Sequence, residues 1–568
     1  MGPAAGLAAR WGRALVGHGR RKVLLVAGFA LLFVCADVAA QFTTTGSGAL
    51  GGVSWARVPL SVVGGVAVPW AFLSLLDALG SPGPGIEDEG PDTGKTWRPD
   101  FRLPVAAFVV TAVAWGVVFA HYWPMASIND TEWILRDPMG ASTQHPLAYN
   151  YGLYGLVHLG EALGGGELGG VVLAALVQTL AWSAVTAYLV HTLATLGCSR
   201  TAVWILVAYC ALSPLVADYA FSLVKDAPFS AFVVLLAPVL LRIHASGGGA
   251  LRRIPFLVLT VTALVGVAVT RNNGVPVMVV LLVLVVWLAP RHRRRAVVVG
   301  AVSLALAAVP LGVSRVVAGP QKLVESLGVP LQMVGHAVAH NPACLSAADS
   351  RYFASVMDLR AWASTYSPKS VDPVKFSSSF HGWVIVDDPS SFATHWLSAA
   401  LSCPAQFFRG YVSQTGNLWR IDAAPVSTTG QSVFTSAVTN SPSNREALIE
   451  RYSERGIVNH TLWPAPLDAA ISAVQRVGLA LTPGAGTWLW AMLLLIAGFL
   501  HRRSSTWVPL FAPSLLVWAT LMIAAPTTHP FRYVQFIVLT VPVGLVVLLG
   551  CPGPAGPSAL VEEDRPTP

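Results

Sequence analysis

Ionisable residues are scarce in this sequence, and a few of them stand where they can act together. The stretch after His121 carries Asp130, Glu132 and Asp137, followed by Gln144-His145-Pro146. Further along come Lys225-Asp226, then Arg271-Asn272-Asn273-Gly274, and finally Phe531-Arg532-Tyr533. A carboxylate takes a proton from an attacking hydroxyl when it is held in reach. Arg and Lys donate charge-assisted hydrogen bonds to phosphate oxygens. An acidic loop and three separate cations therefore suit a transfer reaction with a base and an anchored phosphate. Plainer readings stand beside this one. A lone acid in a loop is more often solvated than catalytic, and Lys225, Arg271 and Arg532 can reach for lipid headgroups. His336 and His340 are four apart but lack the Glu of a His-Glu-x-x-His zinc helix, so they read as structural.

The elements that must carry these residues follow from composition. Of 568 residues, 54% are hydrophobic and 11% are charged, against about a quarter charged in soluble domains. With a mean hydropathy of +0.61, the chain is built for lipid. A collagen, a coiled coil, a disordered chain and a nucleic-acid-binding module are all excluded. The net charge of +8 has to be read by location before any anionic partner is inferred from it.

A helix needs about 20 apolar residues to cross a bilayer. Such stretches lie near 22–41, 57–79, 103–121, 169–196, 201–217, 227–243, 254–270, 275–290, 296–317, 484–501, 506–524 and 532–550. The expectation is an all-α polytopic membrane protein with about twelve transmembrane helices. Pro214, Pro228 and Pro238 interrupt the run between 201 and 243, where the count is softest. Alternating the spans from a cytoplasmic N-terminus puts the clusters at Arg10–Lys22, Lys95–Arg102, Arg242–Arg253, Arg291–Arg295 and Arg502–Arg503 inside, as the positive-inside rule requires. Both termini are then cytoplasmic in a multi-pass plasma-membrane protein. Every candidate site residue falls on the extracytoplasmic face. Residues 10–40 have features of a signal peptide, with Val38-Ala39-Ala40 ahead of Gln41. The length of the run and the span that follows favour an uncleaved anchor.

The chain divides into a two-helix N-terminal extension (1–79), a Pro- and Gly-rich cytoplasmic linker (80–102) and a transmembrane core (103–317) whose first outer loop covers 122–168. A mixed extracytoplasmic domain (318–483) comes next. The last helices (484–550) and a disordered tail (551–568) complete it. Only two of the six cysteines, Cys344 and Cys403, fall in the outer segment. Disulfides persist outside the cytoplasm, so these two are the expected pair, with two buried thiols as the alternative.

In order, Asp130, Gln144-His145-Pro146, Val224-Lys225-Asp226, Arg271-Asn272-Asn273-Gly274, Glu325-Ser326-Leu327-Gly328-Val329-Pro330-Leu331-Gln332 and Phe531-Arg532-Tyr533 resemble the type-C glycosyltransferase superfamily. The likeness is to a branch of multispanning bacterial proteins within it. Asp372-Pro373-Val374-Lys375 looks like a further segment of that pattern, and the resemblance covers roughly 103–550. It implies transfer of a sugar from a polyprenyl-phosphate donor to a glycan, lipid or protein acceptor at the outer face, with inversion. On that pattern Asp130 is the general base, while Lys225, Arg271 and Arg532 hold the donor phosphate. Glu132, Asp137 or His145 position the acceptor or a divalent cation (Mg or Mn). Gln144, Asp226, Asn272, Asn273 and Tyr533 support the site. Asn129-Asp130 stands where many relatives have two adjacent acids, which leaves the metal open. Residues 147–164 read as an interfacial helix that guides the lipid. The competing class is a lipid or glycolipid transporter, which places ionisable residues at the bilayer midplane on broken helices, usually within repeats.

Overall fold

The computed structural model of the protein describes residues 19–44, 54–80, 101–127, 129–318, 322–368, 370–422, 449–502, 504–524 and 531–551. The linker residues 81–100 and the tail from 552 lie outside the described residues. Each of the twelve apolar stretches is helical: α1 (Arg20–Thr44), α2 (Arg57–Leu79), α3 (Arg102–His121), then a short α4 (Asn129–Arg136) and α5 (Leu147–Gly160) ahead of α6 (Gly166–Thr195). The core continues with α7 (Arg200–Leu212), α8 (Pro214–Phe221), α9 (Asp226–Ala245), α10 (Ile254–Thr270), α11 (Gly274–Leu288) and α12 (Arg293–Ala318). Among the described residues, seven stretches are long and apolar enough to cross a membrane, or nine when each of two bent pairs counts as one. The protein is thus a polytopic membrane protein. Three further apolar helices, α10, α11 and Ile537–Gly550, are shorter.

Exposed apolar faces explain why lipid is the solvent. On α11, Val279, Val283 and Trp287 recur every four residues and are all exposed, so they form one stripe. On α12, Val298, Val302, Leu306, Val309, Val313 and Val316 recur every three or four residues and form a second exposed stripe. Water contact on such stripes costs about 25 cal/mol per Å² of apolar surface. Inward-facing side chains are fixed by polar contacts as well as by packing. Trp115 of α3 is fully buried, and its indole N–H donates to the Cys210 carbonyl of α7 at 3.0 Å.

Two departures from straight spans matter for the site. First, α5 is a helix of its own that does not continue straight into α6. α5 turns back on α6 through Gly164 (φ 92°) and Gly166 (φ 58°), a backbone conformation that favours glycine. The two helices touch so closely that a Cβ on Gly160 would lie 2.5 Å from Gly170 Cα. Second, α7 and α8 meet at a 64° bend, where Pro214 opens a new helix at its first position.

The inserted segment is helical in its described part, not mixed. It runs through α13 (Lys322–Ser326), α14 (Gly328–His340), α15 (Ala347–Val356), α16 (Leu359–Thr365), α17 (Asp372–Lys375), α18 (Gly382–Asp387), α19 (Pro389–Ser402) and α20 (Pro404–Thr415). Frequent start signals explain the short helices. Ser346, Asp358 and Asp388 cap α15, α16 and α19, and prolines open α17, α19 and α20. A core of its own includes Phe353, Trp362, Ile385 and Phe407. Cys344 and Cys403 are joined with a Cα–Cα distance of 5.5 Å. Lys375 pairs with Glu325 at 2.7 Å and Asp372 at 3.3 Å, so the two sequence motifs in this segment face each other.

After residues 449–463 the chain enters α21 (Ala465–Leu481) and α22 (Ala485–His501), which meet at 65°. A 3-10 turn leads into α23 (Ala512–Ala524), followed by the single turn α24 (Phe531–Val534) and α25 (Ile537–Gly550). The two ends of the bundle differ. At one end, Ser199 N–H donates to the Gly550 carbonyl at 2.9 Å, and Cys198 is joined to Cys551. That second pairing departs from the sequence reading, which expects only Cys344 and Cys403 to pair. The same end carries the turns with Arg200, Arg242, Arg252, Arg253, Arg291 and Arg293–Arg295. Not all of its cations are simple anchors. Lys22 is buried against Ser74 (2.8 Å) and Asp77 (2.9 Å), and Asp77 also meets His501 at 2.6 Å. Arg502 donates to the Leu76 and Leu548 carbonyls. Together with Phe29 and Phe33, whose rings meet Trp490 edge-on, these contacts dock α1 and α2 on α22. The inserted segment lies at the opposite end, and so do the candidate site residues.

Candidate functional site

Helices that alternate in direction bring every second turn to the same end, and here four such turns converge. They are the stretch after α3, the α8–α9 turn, the α10–α11 turn and the start of α24. The α8–α9 turn is pinned before any ion pair is counted. Leu223 N–H donates to the Ala126 carbonyl at 2.9 Å, and Ala126 and Ser222 form a parallel bridge. Thr131 donates to the Leu223 carbonyl. The Gln178 amide of α6 donates to the Ser222 carbonyl at 2.7 Å. Lys225 therefore projects from a backbone with little freedom.

Around it the charges alternate in sign. Asp130 Oδ2 lies 3.4 Å from Lys225 Nζ and 3.7 Å from Arg532 Nη2. Asp226 is shared by two arginines, with Oδ1 3.1 Å from Arg271 Nη1 and Oδ2 3.6 Å from Arg532 Nε. His145 Nδ1 meets the Lys225 ammonium, and the His145 ring takes the edge of Trp133. Tyr533 supplies an aromatic floor. The Arg271 guanidinium lies 4.1 Å from its ring centre and that of Arg532 5.0 Å. Arg532 also donates to the Tyr533 hydroxyl at 3.2 Å.

Burial grades across the cluster. The Asp226 side chain is 0% exposed and that of Arg271 9%, whereas those of Asp130 and Arg532 are 28% and 31% exposed. A ligand from outside thus meets Asp130 and Arg532 first, with the Asp226–Arg271 pair beneath them. Burial would raise the Asp130 carboxyl, but Lys225, His145 and Arg532 more than offset this and hold it below the usual carboxylate range. The Lys225 ammonium is pushed down by burial, a push that the Asp130 and Asp226 carboxylates oppose. Three cations against two carboxylates leave one positive charge in excess, which suits an anion.

The remaining sequence candidates take other places. Glu132 is buried but turned towards the 449–463 stretch, 3.9 Å from Arg451 Nη1. Asp137 is exposed, and its Oδ1 accepts from Gly140 N–H at 2.8 Å, closing a turn. Asn272 donates to the Gln144 backbone carbonyl at 3.1 Å and so ties the α10–α11 turn to the one before α5. The Gln144 side chain has no part in that bond. Asn273 donates to Thr520 of α23 at 2.9 Å. Asp130, Glu132 and Asp137 thus face three different partners. Among the described residues, no group of three or more His, Cys, Asp or Glu side chains is arranged to hold a metal ion.

One contributor was not visible beforehand. Residues 449–463 lie as a strap across the stretch after α3. Asn459 donates to the Met125 carbonyl at 2.7 Å, His460 N–H to the Trp123 carbonyl at 2.9 Å, and the Trp463 indole to the Val117 carbonyl at 2.8 Å. Arg455 reaches Glu167 at the start of α6. Backbone acceptors carry no side-chain signature, so nothing in the sequence announced this contact.

No curated protein and no solved structure matches the chain. The family of unknown function DUF6020 matches residues 136–551. That span takes in His145, Lys225, Asp226, Arg271 and Arg532, while Asp130 lies just ahead of it. Since the match covers most of the 568 residues, the chain belongs to the DUF6020 family.

Proposed function

We propose that the protein is a polytopic glycosyltransferase of the type-C kind, which moves a sugar from a polyprenyl-phosphate donor to an acceptor hydroxyl. The observation that carries this reading is the meeting of Asp130 with Lys225 and Arg532 at the end of the bundle that holds the inserted domain. A phosphate entering between Lys225 and Arg532 competes for the bonds they make to Asp130. The carboxylate then regains basicity next to the place where the donor is anchored. It can take the proton of an attacking hydroxyl, which fits a single displacement with inversion. The cations meanwhile stabilise the departing phosphate. An excess of one positive charge suits a singly charged phosphodiester.

The same reading assigns the basic end to the cytoplasm and the site to the outer face of the plasma membrane, with all twelve apolar helices crossing or entering the bilayer. The acceptor is a glycan, lipid or protein hydroxyl. Purified protein in lipid nanodiscs, incubated with a panel of polyprenyl-phosphate sugars and followed by mass spectrometry, tests it. Release of polyprenyl phosphate by wild type and not by Asp130→Asn supports the reading. Absence of any product across the panel counts against it.

A second reading, a lipid or glycolipid transporter, is favoured by one observation. The bent pair α7–α8 holds Asp218, a fully buried carboxylate with no hydrogen-bond partner. Buried acids on broken helices recur in transporters. Translocation of a labelled polyprenyl phosphate in proteoliposomes, abolished by Asp218→Asn but not by Asp130→Asn, would decide for it.

A further inference from the structure

A buried phenol adjoins the same charge cluster and has no role in what precedes. Tyr149 stands in the first turn of α5, four residues after His145. It is 9% exposed, and its hydroxyl has no hydrogen-bond partner. It follows His145, which meets the Lys225 ammonium, and the Asp226 and Asp130 carboxylates lie near enough to act on it electrostatically. Phe would fill nearly the same volume without burying a polar atom. Packing therefore explains the ring and not the hydroxyl, whose burial without a partner is unfavourable. The neighbouring carboxylates are engaged by Lys225, Arg271 and Arg532. A neutral donor at this place strengthens an anion site without adding to its charge.

We propose that Tyr149 is a further binding residue of this site, its hydroxyl donating a hydrogen bond to a phosphate oxygen of a prenyl-phosphate headgroup held by Lys225 and Arg532. The inference rests on the phosphate reading given above and adds one neutral donor to it. The chemistry that recognises the ligand is then two cations and one phenol around a phosphate.

The test uses the full-length protein in detergent micelles, titrated with farnesyl phosphate, with neutral farnesol and with inorganic phosphate. Tyr149→Phe removes the hydroxyl alone. Its melting temperature without ligand should equal or exceed that of wild type, because an unsatisfied buried group is gone. Its affinity for farnesyl phosphate should fall about tenfold, as expected for one hydrogen bond to a charged group, with the response to farnesol unchanged. Tyr149→Met, which also lacks the hydroxyl, should show the same selective loss. Equal affinity of wild type and Tyr149→Phe for farnesyl phosphate overturns the role of the phenol and leaves the phosphate site standing. A lower melting temperature with unchanged affinity also overturns it, since the hydroxyl would then serve the fold. Failure of wild type itself to bind farnesyl phosphate overturns both. Farnesyl phosphate binding more tightly than inorganic phosphate supports a lipid-linked headgroup, and the reverse order overturns that part.

Discussion

Asp226 Oδ1 lies 3.1 Å from Arg271 Nη1, and the carboxylate is wholly buried. Removing Arg271 leaves this buried carboxylate with the more distant Arg532 at 3.6 Å, and breaking a buried ion pair costs about 3–5 kcal/mol. Arg271→Ala should therefore lower the melting temperature of the purified protein far more than a surface substitution does. Adding Asp226→Asn should restore much of the loss, because the stranded charge is then gone. A double variant no more stable than Arg271→Ala would show that the pair is not the source of the defect.

Asp130 is more exposed, and its carboxylate is already ionised at neutral pH. Asp130→Asn should leave the melting temperature near that of wild type and lower sugar transfer by about 10²- to 10⁴-fold, the usual share of a general base. Lys225→Met removes the charge that does most to hold the carboxyl low. The acid limb of the wild-type pH–rate profile should lie below the ordinary carboxylate range, and in Lys225→Met it should move to higher pH. An unshifted limb would separate Asp130 from the rate.

Arg532 bridges both carboxylates, and Arg136 touches neither. Arg532→Ala should weaken binding of a prenyl phosphate by about tenfold or more, with Arg532→Lys in between because it lacks the planar fork. Arg136→Ala should match wild type. Isothermal titration of the three variants with farnesyl phosphate reads this directly, and equal losses in all three would sink the assignment.

The inserted domain carries its own pH response. Burial, then the neighbouring His340 and Arg409, push His336 down to about 4, while its Nδ1 pairs with the Tyr366 hydroxyl at 2.8 Å. An unfolded chain takes up this proton near 6.5. Between 6.5 and about 4 the unfolded state binds more protons, so stability falls as pH drops through that window and is full above it. Thermal unfolding followed by Trp fluorescence should show this loss, and His336→Gln should flatten it. A variant with the wild-type slope would point to other groups.

Cys344 and Cys403 close a loop within that domain. Cys344→Ser with Cys403→Ser should lower its stability by about 2–4 kcal/mol, measurable by limited proteolysis as faster cleavage between α14 and α20. Unchanged proteolysis would mean the buried aromatic core holds the loop alone.

The apolar stretches were legible because crossing a bilayer demands length and hydrophobicity, and both are written in consecutive residues. Lys225, Arg271 and Arg532 were legible because a charge at the end of an apolar run needs a reason. What failed was geometry within the acidic loop. Asp130 and Glu132 look alike as a string, yet two helical positions apart they face different sides, so Glu132 meets Arg451. Asp137 beyond the helix end became a turn closure. The sequence reading of the inserted domain as mixed does not hold in its described part. Its caps and opening prolines are positional signals that act only locally, and they decided for helices. The α5–α6 hairpin depended on two glycines coming within van der Waals contact across a turn, a pairing that spacing alone does not encode. The roles of Lys22 and Arg502 were masked because a basic residue at a helix end serves orientation and docking equally well in sequence.

The docking of α1 and α2 also has a consequence in time. Asp77 meets His501 across 424 positions of chain, and the Leu76 carbonyl waits for Arg502. The ribosome makes the extension long before it makes the helix that receives it. A chain halted anywhere before α22 therefore presents a buried Lys–Asp pair and two stacked Phe rings with no surface to rest on. Assembly of the N-terminal pair thus reports that synthesis has passed α22.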